Sequence, residues 1–504
     1  MKQTLHIIAL IIMGAAFLQG CAKEIEAEIS PVETPEQVIG GKTYKMSVVA
    51  GKDEIGTRAL SLIDRTLNAT WAVGEKVSVY KVDGEGSMEM ESTEPVFTLT
   101  AQESGATTTL SGELPSTYTP TAGSKLRLKF LSGNYDNQKG TLDYIAGNCD
   151  FAVADVTISE VGTDGLVTTT AANFVNQQAI VRFSLKKEDG TTPIEVTSLA
   201  VTVGGMTYNV TPDEAISDIF VAIPKASQKT VTLSAIGVDG PYTYEKTDIS
   251  FDNGKYYIIG VKMKRVPLLG DIYYSDGTFS TTLETGKTPI GVIAYIGTDV
   301  YSENGVTLRD GITTLQSRGL VLCLNDAGRV PWRREGMTNV TDILHDALVD
   351  DTGDLKRSVN VSGYANTKFL AEKSIETVDY PAAYYAWNYT GLAAPSGTTG
   401  WFLPSIQQWV KILTALGGLS ESGIVWQGWI DSPRNSLHNL EAAMAKAGAY
   451  NDLDPYNTAL LSSSESTAGV ATCIIVNTSG GNVGIQFSYT PKSYSWFVRP
   501  VLAF

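Results

Sequence analysis

The sequence predicts a mainly β protein, with two β-sandwich domains followed by an α+β domain. Between residues 42 and 266, short alternating runs rich in Val, Thr, Tyr and Ile are separated by clusters of Gly, Pro, Asn and Asp. Regular short strands with such turn residues are typical of β-sandwiches. After Pro267 the pattern changes, because amphipathic helical segments appear and seven of the eight tryptophans lie there.

The first twenty residues have the layout of a bacterial secretion signal. Lys2 precedes the apolar run Ile7–Leu18, which is shorter than the roughly 20 residues of a membrane-spanning helix. The residues Leu-Gln-Gly-Cys that end at Cys21 resemble a lipobox. This resemblance implies cleavage before Cys21 and attachment of palmitate or a similar acyl chain, giving an outer-membrane lipoprotein. The alternative is an ordinary signal peptide with an incidental cysteine. Lys23 and Glu24 resemble the export tag of surface lipoproteins and imply a cell-surface location.

Residues 21–40 are acidic, contain proline and predict a flexible tether. We assign residues 41–175 to the first sandwich and 176–265 to the second, because a Thr- and Gly-rich stretch at 161–170 gives way to a new strand. The expected strands of the two sandwiches are 44–49, 76–82, 125–131, 180–185, 199–203, 230–236 and 256–263.

Residues 266–504 form the predicted α+β domain. Apolar residues three or four apart predict helices over 403–416, 436–447 and 341–349. Pro404 is expected in the first turn of the helix 403–416, and Thr341 as the cap of the helix 341–349. Strand-like runs are 290–296, 319–324, 472–476 and 496–502.

Composition argues against several kinds of site. The net charge of −16 makes nucleic acid an improbable partner. Cys149, Cys323 and Cys473 remain after Cys21, and Cys323 and Cys473 could either pair or stay as buried thiols. No cysteine pair has CxxC spacing and only His345 and His438 follow the signal, so no zinc site or other cofactor is expected. Asp452 and Asp454 could bind calcium, although their run with Asn451 and Pro455 reads more simply as a turn.

The β-rich region resembles the fimbrillin family, the subunits of type V pili. The resemblance covers roughly residues 41–265 through scattered short motifs, at 57–60, 69–71, 74–80, 174, 180–185 and 251–263. It implies two transthyretin-like β-sandwiches and export as a lipoprotein. It also implies proteolytic removal of the first strand, whose groove is then filled by a strand from a neighbouring subunit, which is β-augmentation.

Mapped onto this sequence, the resemblance makes Tyr44–Val49 the removable strand. Arg58 is the expected cleavage site, and Arg65 in the same polar stretch is the second choice. The alternative is that Arg58 is a solvated loop arginine that is never cut.

The last third resembles the C-type-lectin-like domains related to formylglycine-generating enzymes. The resemblance lies in residues 270–277, 400–405, 461–465 and 498–501. The enzymes of that group use redox-active or metal-binding cysteines, and this region offers only Cys323 and Cys473, so the resemblance implies the fold and not the activity. Ser462–Ser464 lack a G-x-S-x-G elbow and a positioned base, and we predict no enzymatic activity.

Five aromatic residues are candidates for binding a surface glycan or protein, the alternative being that they form the core. They are Tyr385, Trp387, Trp426, Trp429 and Trp496. We expect a pilus tip or accessory subunit that acts in adhesion. The tip position follows from the terminal run 498–504, read as an integral strand with nothing after it to donate. The alternative is a lipid-anchored surface binding protein that does not polymerise.

Overall fold

The computed structural model describes residues 43–52, 61–63, 66–68, 70–84, 88–298, 309, 315, 318–337, 362–374, 378–420, 430–432, 435–448, 458–479 and 482–504. Strands dominate this part of the chain, and helices are short. None of the helices described is long and apolar enough to cross a membrane. The mainly β class predicted from the sequence is therefore confirmed.

The first domain is built from eleven strands, nine of which form one sheet. They are β1 (Lys45–Lys52), β2 (Ser61–Ile63), β3 (Thr66–Asn68), β4 (Lys76–Asp83), β5 (Met90–Glu91), β6 (Phe97–Ala101), β7 (Thr107–Glu113), β8 (Lys125–Phe130), β9 (Ala152–Val161), β10 (Leu166–Thr169) and β11 (Ala172–Asn176). The strands β2 and β3 pair with each other as a separate hairpin. In the main sheet β1 pairs with β7 on one side and with β10 and β11 on the other, so the strands form a closed circuit around one apolar core.

The second domain consists of two packed sheets. Its strands are β12 (Gln178–Lys186), β13 (Val196–Val203), β14 (Met206–Val210), β15 (Asp218–Pro224), β16 (Ala226–Gly237), β17 (Gly240–Phe251), β18 (Tyr256–Lys262) and β19 (Lys264–Arg265). A three-stranded sheet in the order β15-β12-β18 faces a five-stranded sheet in the order β14-β13-β16-β17-β19. Alternate residues of both sheets bury their side chains in the core between them.

The connection between β8 and β9 extends away from its own domain. It contains the short helix α1 (Leu142–Asn148), and its Tyr135, Ile145 and Cys149 are buried in the core of the second domain. Gln138 fixes this segment, because its amide donates to the Ala222 carbonyl at 2.9 Å and accepts from the Ala222 N–H at 2.8 Å. The second core therefore draws residues from both sides of the predicted boundary at 175–176.

A buried ion pair joins the second domain to the third. Arg265 at the end of β19 contacts Asp271 at 2.9 Å, and Asp271 is almost completely buried. Arg265 also donates to the Asp239 carbonyl in the β16–β17 turn, with its Nε at 3.0 Å. The start of the third domain is thus tied directly to the β16–β17 turn.

The third domain is α+β, as the sequence predicts. Its elements are β20 (Ile272–Tyr274), β21 (Phe279–Ser280), β22 (Pro289–Ile296), β23 (Gly319–Cys323), β24 (Gly328–Pro331), α2 (Gly363–Glu372), α3 (Pro381–Trp387), α4 (Ile406–Ala415), β25 (Ile430–Ser432), α5 (Asn435–Lys446), β26 (Thr458–Thr467), β27 (Val470–Ser479), β28 (Asn482–Pro491), β29 (Ser495–Val498) and β30 (Val501–Ala503). A five-stranded sheet has the order β21-β20-β22-β23-β30, and a six-stranded sheet the order β24-β29-β26-β27-β28-β25.

Two of the predicted elements of this domain need correction. The helix predicted over 403–416 begins only at Ile406, because Ser405 caps it: Gln408 N–H donates to the Ser405 hydroxyl, and Ser405 N–H donates to the Gln408 side chain. Pro404 consequently precedes the helix. The strand predicted over 496–502 is two strands in different sheets, since the chain leaves one sheet at Arg499 and Pro500 and enters the other. The helix 341–349 lies outside the described residues, whereas α5 lies where it was predicted.

We predict that Gln138→Ala destabilises the second core. The substitution leaves the buried N–H and C=O of Ala222 without their partner, which lowers the free energy of unfolding by about 2–4 kcal/mol. Gln102→Ala is the matched control, because Gln102 is exposed and its side-chain amide donates to the nearby Thr100 carbonyl. Urea unfolding followed by tyrosine fluorescence and circular dichroism measures both. Equal effects of the two substitutions would contradict the role given to Gln138.

Candidate functional site

The strand β1 alternates strictly between the core and the surface. Met46, Val48 and Ala50 are buried, whereas Val49 between them is 62% exposed. Such alternation places every second side chain on the inner face of the sheet. The strand therefore contributes three apolar side chains to the core of the first domain.

The backbone of β1 is paired along both edges. It runs antiparallel to β7 over seven residue pairs, from Lys45 opposite Glu113 to Gly51 opposite Thr107. On its other side it runs parallel to β10 with residues 45–47 and to β11 with residues 50–52. Without β1, the edges of β7, β10 and β11 would carry unpaired N–H and C=O groups, and the core would be open along a groove. An edge of this kind is a template for another strand.

The apolar contribution of β1 is substantial. Full burial of a Val or Met side chain is worth about 1.5–3 kcal/mol, and Met46 and Val48 are both fully buried. A strand that replaced β1 would have to restore this burial together with the backbone hydrogen bonds. A groove left by β1 would therefore suit an extended apolar segment and not a small polar ligand.

The two arginines predicted as cleavage sites, Arg58 and Arg65, lie outside the described residues, as does Cys21. Their places in the sequence relative to the strands still differ. Arg58 falls between β1 and β2, whereas Arg65 falls between the paired strands β2 and β3. A cut after Arg58 would separate β1 from the rest of the chain and leave the β2–β3 hairpin whole, while a cut after Arg65 would divide that hairpin.

The candidate ligand-binding aromatic residues lie in different surroundings. Tyr385 on α3 is 44% exposed. Trp387 is half-buried against Tyr364, at 5.2 Å between ring centroids, and the Arg309 guanidinium lies 3.5 Å from its ring centroid. Trp496 is half-buried against an apolar cluster that includes Trp332, Leu461 and Val498, and its indole N–H donates to the Thr490 hydroxyl. Trp426 and Trp429 lie outside the described residues.

The serines considered as nucleophiles are buried structural residues. Ser462–Ser464 form a bulge in β26, between the pairs Leu461–Cys473 and Glu465–Ala471. The N–H of Ser463 donates to the Pro404 carbonyl, and the Ser464 hydroxyl accepts from the first N–H of α4. The bulge thus positions the beginning of α4. His345 and the side chain of His438 lie outside the described residues.

Three cysteines are described, and all of them are free, buried thiols. Cys323 and Cys473 lie in different sheets and do not pair. Burial raises the pKa of Cys149, Cys323 and Cys473 to about 12, which keeps them protonated and unreactive at neutral pH. Within the described ranges no three or more His, Cys, Asp and Glu side chains are grouped to hold a metal ion. The calcium candidates Asp452 and Asp454 lie outside those ranges.

Comparison with known proteins yields matches among solved structures alone. No protein-family profile matches the sequence, and no curated protein does. The chain is similar to a fimbrial protein from Bacteroides ovatus, with 15% identity, a TM-score of 0.34, and coverage of 91% of this chain and 99% of the other. It is also similar to a putative cell adhesion protein from Bacteroides uniformis, with 14% identity, a TM-score of 0.25, and coverage of 43% and 93%. A fimbrial assembly protein from Parabacteroides distasonis gives 13% identity, a TM-score of 0.24, and coverage of 43% and 90%. Identities and TM-scores this low carry no function over to this chain.

We predict that adjacent substitutions in β1 differ strongly in how much they destabilise the first domain. Val48→Asp places an unpaired carboxylate in the core and lowers the free energy of unfolding of the first domain by about 3–5 kcal/mol. Val49→Asp, on the exposed face, lowers it by at most about 1 kcal/mol. Urea unfolding combined with amide hydrogen exchange measures both effects. The amides of β7 and β11 should lose protection in Val48→Asp alone, and comparable losses in the two variants would refute the alternation.

Proposed function

We propose that this protein is a subunit of a bacterial surface pilus, at its tip or in an accessory position, and that it acts in adhesion. In this proposal a protease cuts after Arg58, β1 leaves, and a strand from a neighbouring subunit takes its place. The observation that carries the proposal is the placement of β1. It is the first described strand, it is paired on both edges, and it fills the core with three alternate side chains.

The exchange is favourable only when the incoming strand restores what β1 supplied. Main-chain hydrogen bonds to β7, β10 and β11 provide affinity, and the pockets of Met46, Val48 and Ala50 provide selectivity. The uncut chain keeps its own strand in the groove. Cleavage would therefore act as the trigger, because it removes the covalent advantage of β1 over a strand from another subunit.

The last strand of this sequence is a poor donor. Val501–Ala503 are fully buried in the five-stranded sheet, and Arg499 before them is held by the side chain of Asp326 at 2.7 Å and by the Leu324 carbonyl at 2.8 Å. Withdrawal of β30 would expose several apolar side chains, each worth about 1.5–3 kcal/mol. In this proposal β30 therefore stays in its own domain and is not the strand given to a neighbouring subunit.

The third domain would then be presented for contact with a host or bacterial surface glycan or protein. Tyr385, exposed on α3, is the described residue of the candidate set most accessible to such a partner. A glycan array and a surface-protein panel probed with the whole chain test this part of the proposal. Failure of the chain to bind any glycan of the array or any protein of the panel would exclude this part of the proposal.

We expect Cys21 to anchor the precursor to the outer membrane through its lipid. Cys21→Ala should abolish incorporation of a palmitate analogue and shift the protein from the membrane fraction to the soluble fraction, since a protein anchored by acyl chains loses its membrane affinity with them. Cys149→Ala is the control, because this thiol is buried in the fold. Unchanged labelling of Cys21→Ala would exclude lipidation at this residue.

The decisive experiment is the recovery of the protein from purified pili. We expect the chain in the pili to begin at Ala59, and gold-labelled antibodies against it to cluster at filament ends. Arg58→Gln should keep the protein out of the pili, because the uncut chain retains β1 in its groove. Arg65→Gln is the matched control and should assemble normally.

Two results would overturn this proposal. Absence of the protein from purified pili, with the intact lipidated chain on the cell surface, would favour the lipid-anchored binding protein that does not polymerise. Gold label distributed uniformly along the shaft would exclude the tip.

A further inference from the structure

The three inward positions of β1 hold buried side chains of different size, Met46, Val48 and Ala50. Met46 lies directly opposite Gly112 on β7, so no side chain of β7 faces it at that point. A Cβ added to Gly112 would lie 2.6 Å from the Thr98 carbonyl oxygen, so the glycine cannot be replaced without moving the backbone. The long, unbranched side chain of Met46 is fully buried at this end of the groove.

The opposite end of the groove is narrow. Ala50 lies opposite Thr108 on β7 and opposite Ala172 on β11. Thr108 is buried and fixed, because its hydroxyl donates to the Glu103 carbonyl at 2.8 Å and accepts from the Glu103 N–H at 3.1 Å.

Next to this end stands a group of large aromatic rings. Phe174 follows Ala172 on the same face of β11 and contacts Trp71 edge to face, at 5.4 Å between ring centroids. Both rings are buried, so they leave little freedom to make room for a larger residue at position 50.

We infer that the groove selects its incoming strand by the order of side-chain sizes. The strand that fits has a long unbranched apolar residue, then a β-branched residue, then alanine or glycine, at alternate positions and in the direction of β1. This inference rests on the proposed strand exchange and names the chemistry of the partner segment.

The order of sizes also fixes the register. A shift of the incoming strand by one residue turns its apolar side chains to the surface. A shift by two places the β-branched residue in the Ala50 position, where overpacking opposes it. The narrow end thus acts as a stop that defines how far the incoming strand enters.

The test uses the whole mature chain with a specific protease site inserted between residues 53 and 60. After cleavage, labelled peptides compete with the bound β1 in urea below the unfolding midpoint, and native mass spectrometry measures how much peptide enters. The reference peptide is residues 43–52. Ala50→Leu in the peptide should weaken entry by about ten- to a hundredfold. Val49→Leu, which alters the exposed neighbouring position, is the matched control and should change entry by about twofold at most.

A peptide with the sizes interchanged, Met46→Ala together with Ala50→Met, has the same composition and should enter at least about tenfold less well than the reference. Entry of the reference, the Ala50→Leu peptide and the interchanged peptide to equal extents would overturn the size-order inference and leave the exchange intact. Failure of the reference peptide itself to enter would overturn strand exchange at this groove, and with it the proposed function.

Discussion

The first domain depends on the pairing of β1 along both of its edges. The other strands of the main sheet form a path from β10 and β11 through β9, β8, β4 and β6 to β7, and among the described strands only β1 joins the two ends of this path. The same strand buries Met46, Val48 and Ala50, so backbone closure and core packing are achieved by one segment. Loss of β1 would therefore open two sheet edges and the core together.

The second domain is tied to the first through the connection between β8 and β9. Tyr135, Ile145 and Cys149 complete its core, and Gln138 bonds to both backbone groups of Ala222. Because β8 and β9 belong to the main sheet of the first domain, the two cores share a continuous stretch of chain. The ion pair between Arg265 and Asp271 makes a corresponding link to the third domain. Strand exchange at β1 would thus take place in a body whose domains are joined by buried polar contacts as well as by the chain.

The alternation of apolar residues was sufficient to locate many of the strands. The expected strand 76–82 is β4 (Lys76–Asp83), and 180–185 lies within β12, because strands with one buried face alternate in sequence. The segment around α1 was missed, since its apolar residues are few and its burial comes from a different domain. The buried bulge at Ser462–Ser464 could not be predicted from the sequence. Its hydrogen bonds are made with Pro404 and with the first residue of α4, which lie more than fifty residues away along the chain. At the site, the inward residues of β1 follow from alternation. The residues opposite them on β7, Gly112 at one end and Thr108 at the other, are known only from the pairing register.

In the third domain the last strand, β30, is preceded by a buried arginine that is held by polar contacts, whereas β1 of the first domain is held by backbone pairing and apolar burial. Arg499 lies buried between the two sheets and binds Asp326 and the backbone carbonyls of Cys323 and Leu324. Burial raises the pKa of the Asp326 carboxyl even though Arg499 opposes that shift, so at this carboxyl the cost of desolvation outweighs the attraction of the guanidinium. Withdrawal of β30 together with Arg499 would leave the Asp326 carboxyl without its cationic partner, and an unpaired buried charge is strongly destabilising. By contrast, β1 carries apolar side chains on its inner face, and any strand of matching shape can restore them. Under the proposed exchange, the difference in chemistry between the two strands therefore favours the first domain as the site of exchange and the third as the domain that remains intact.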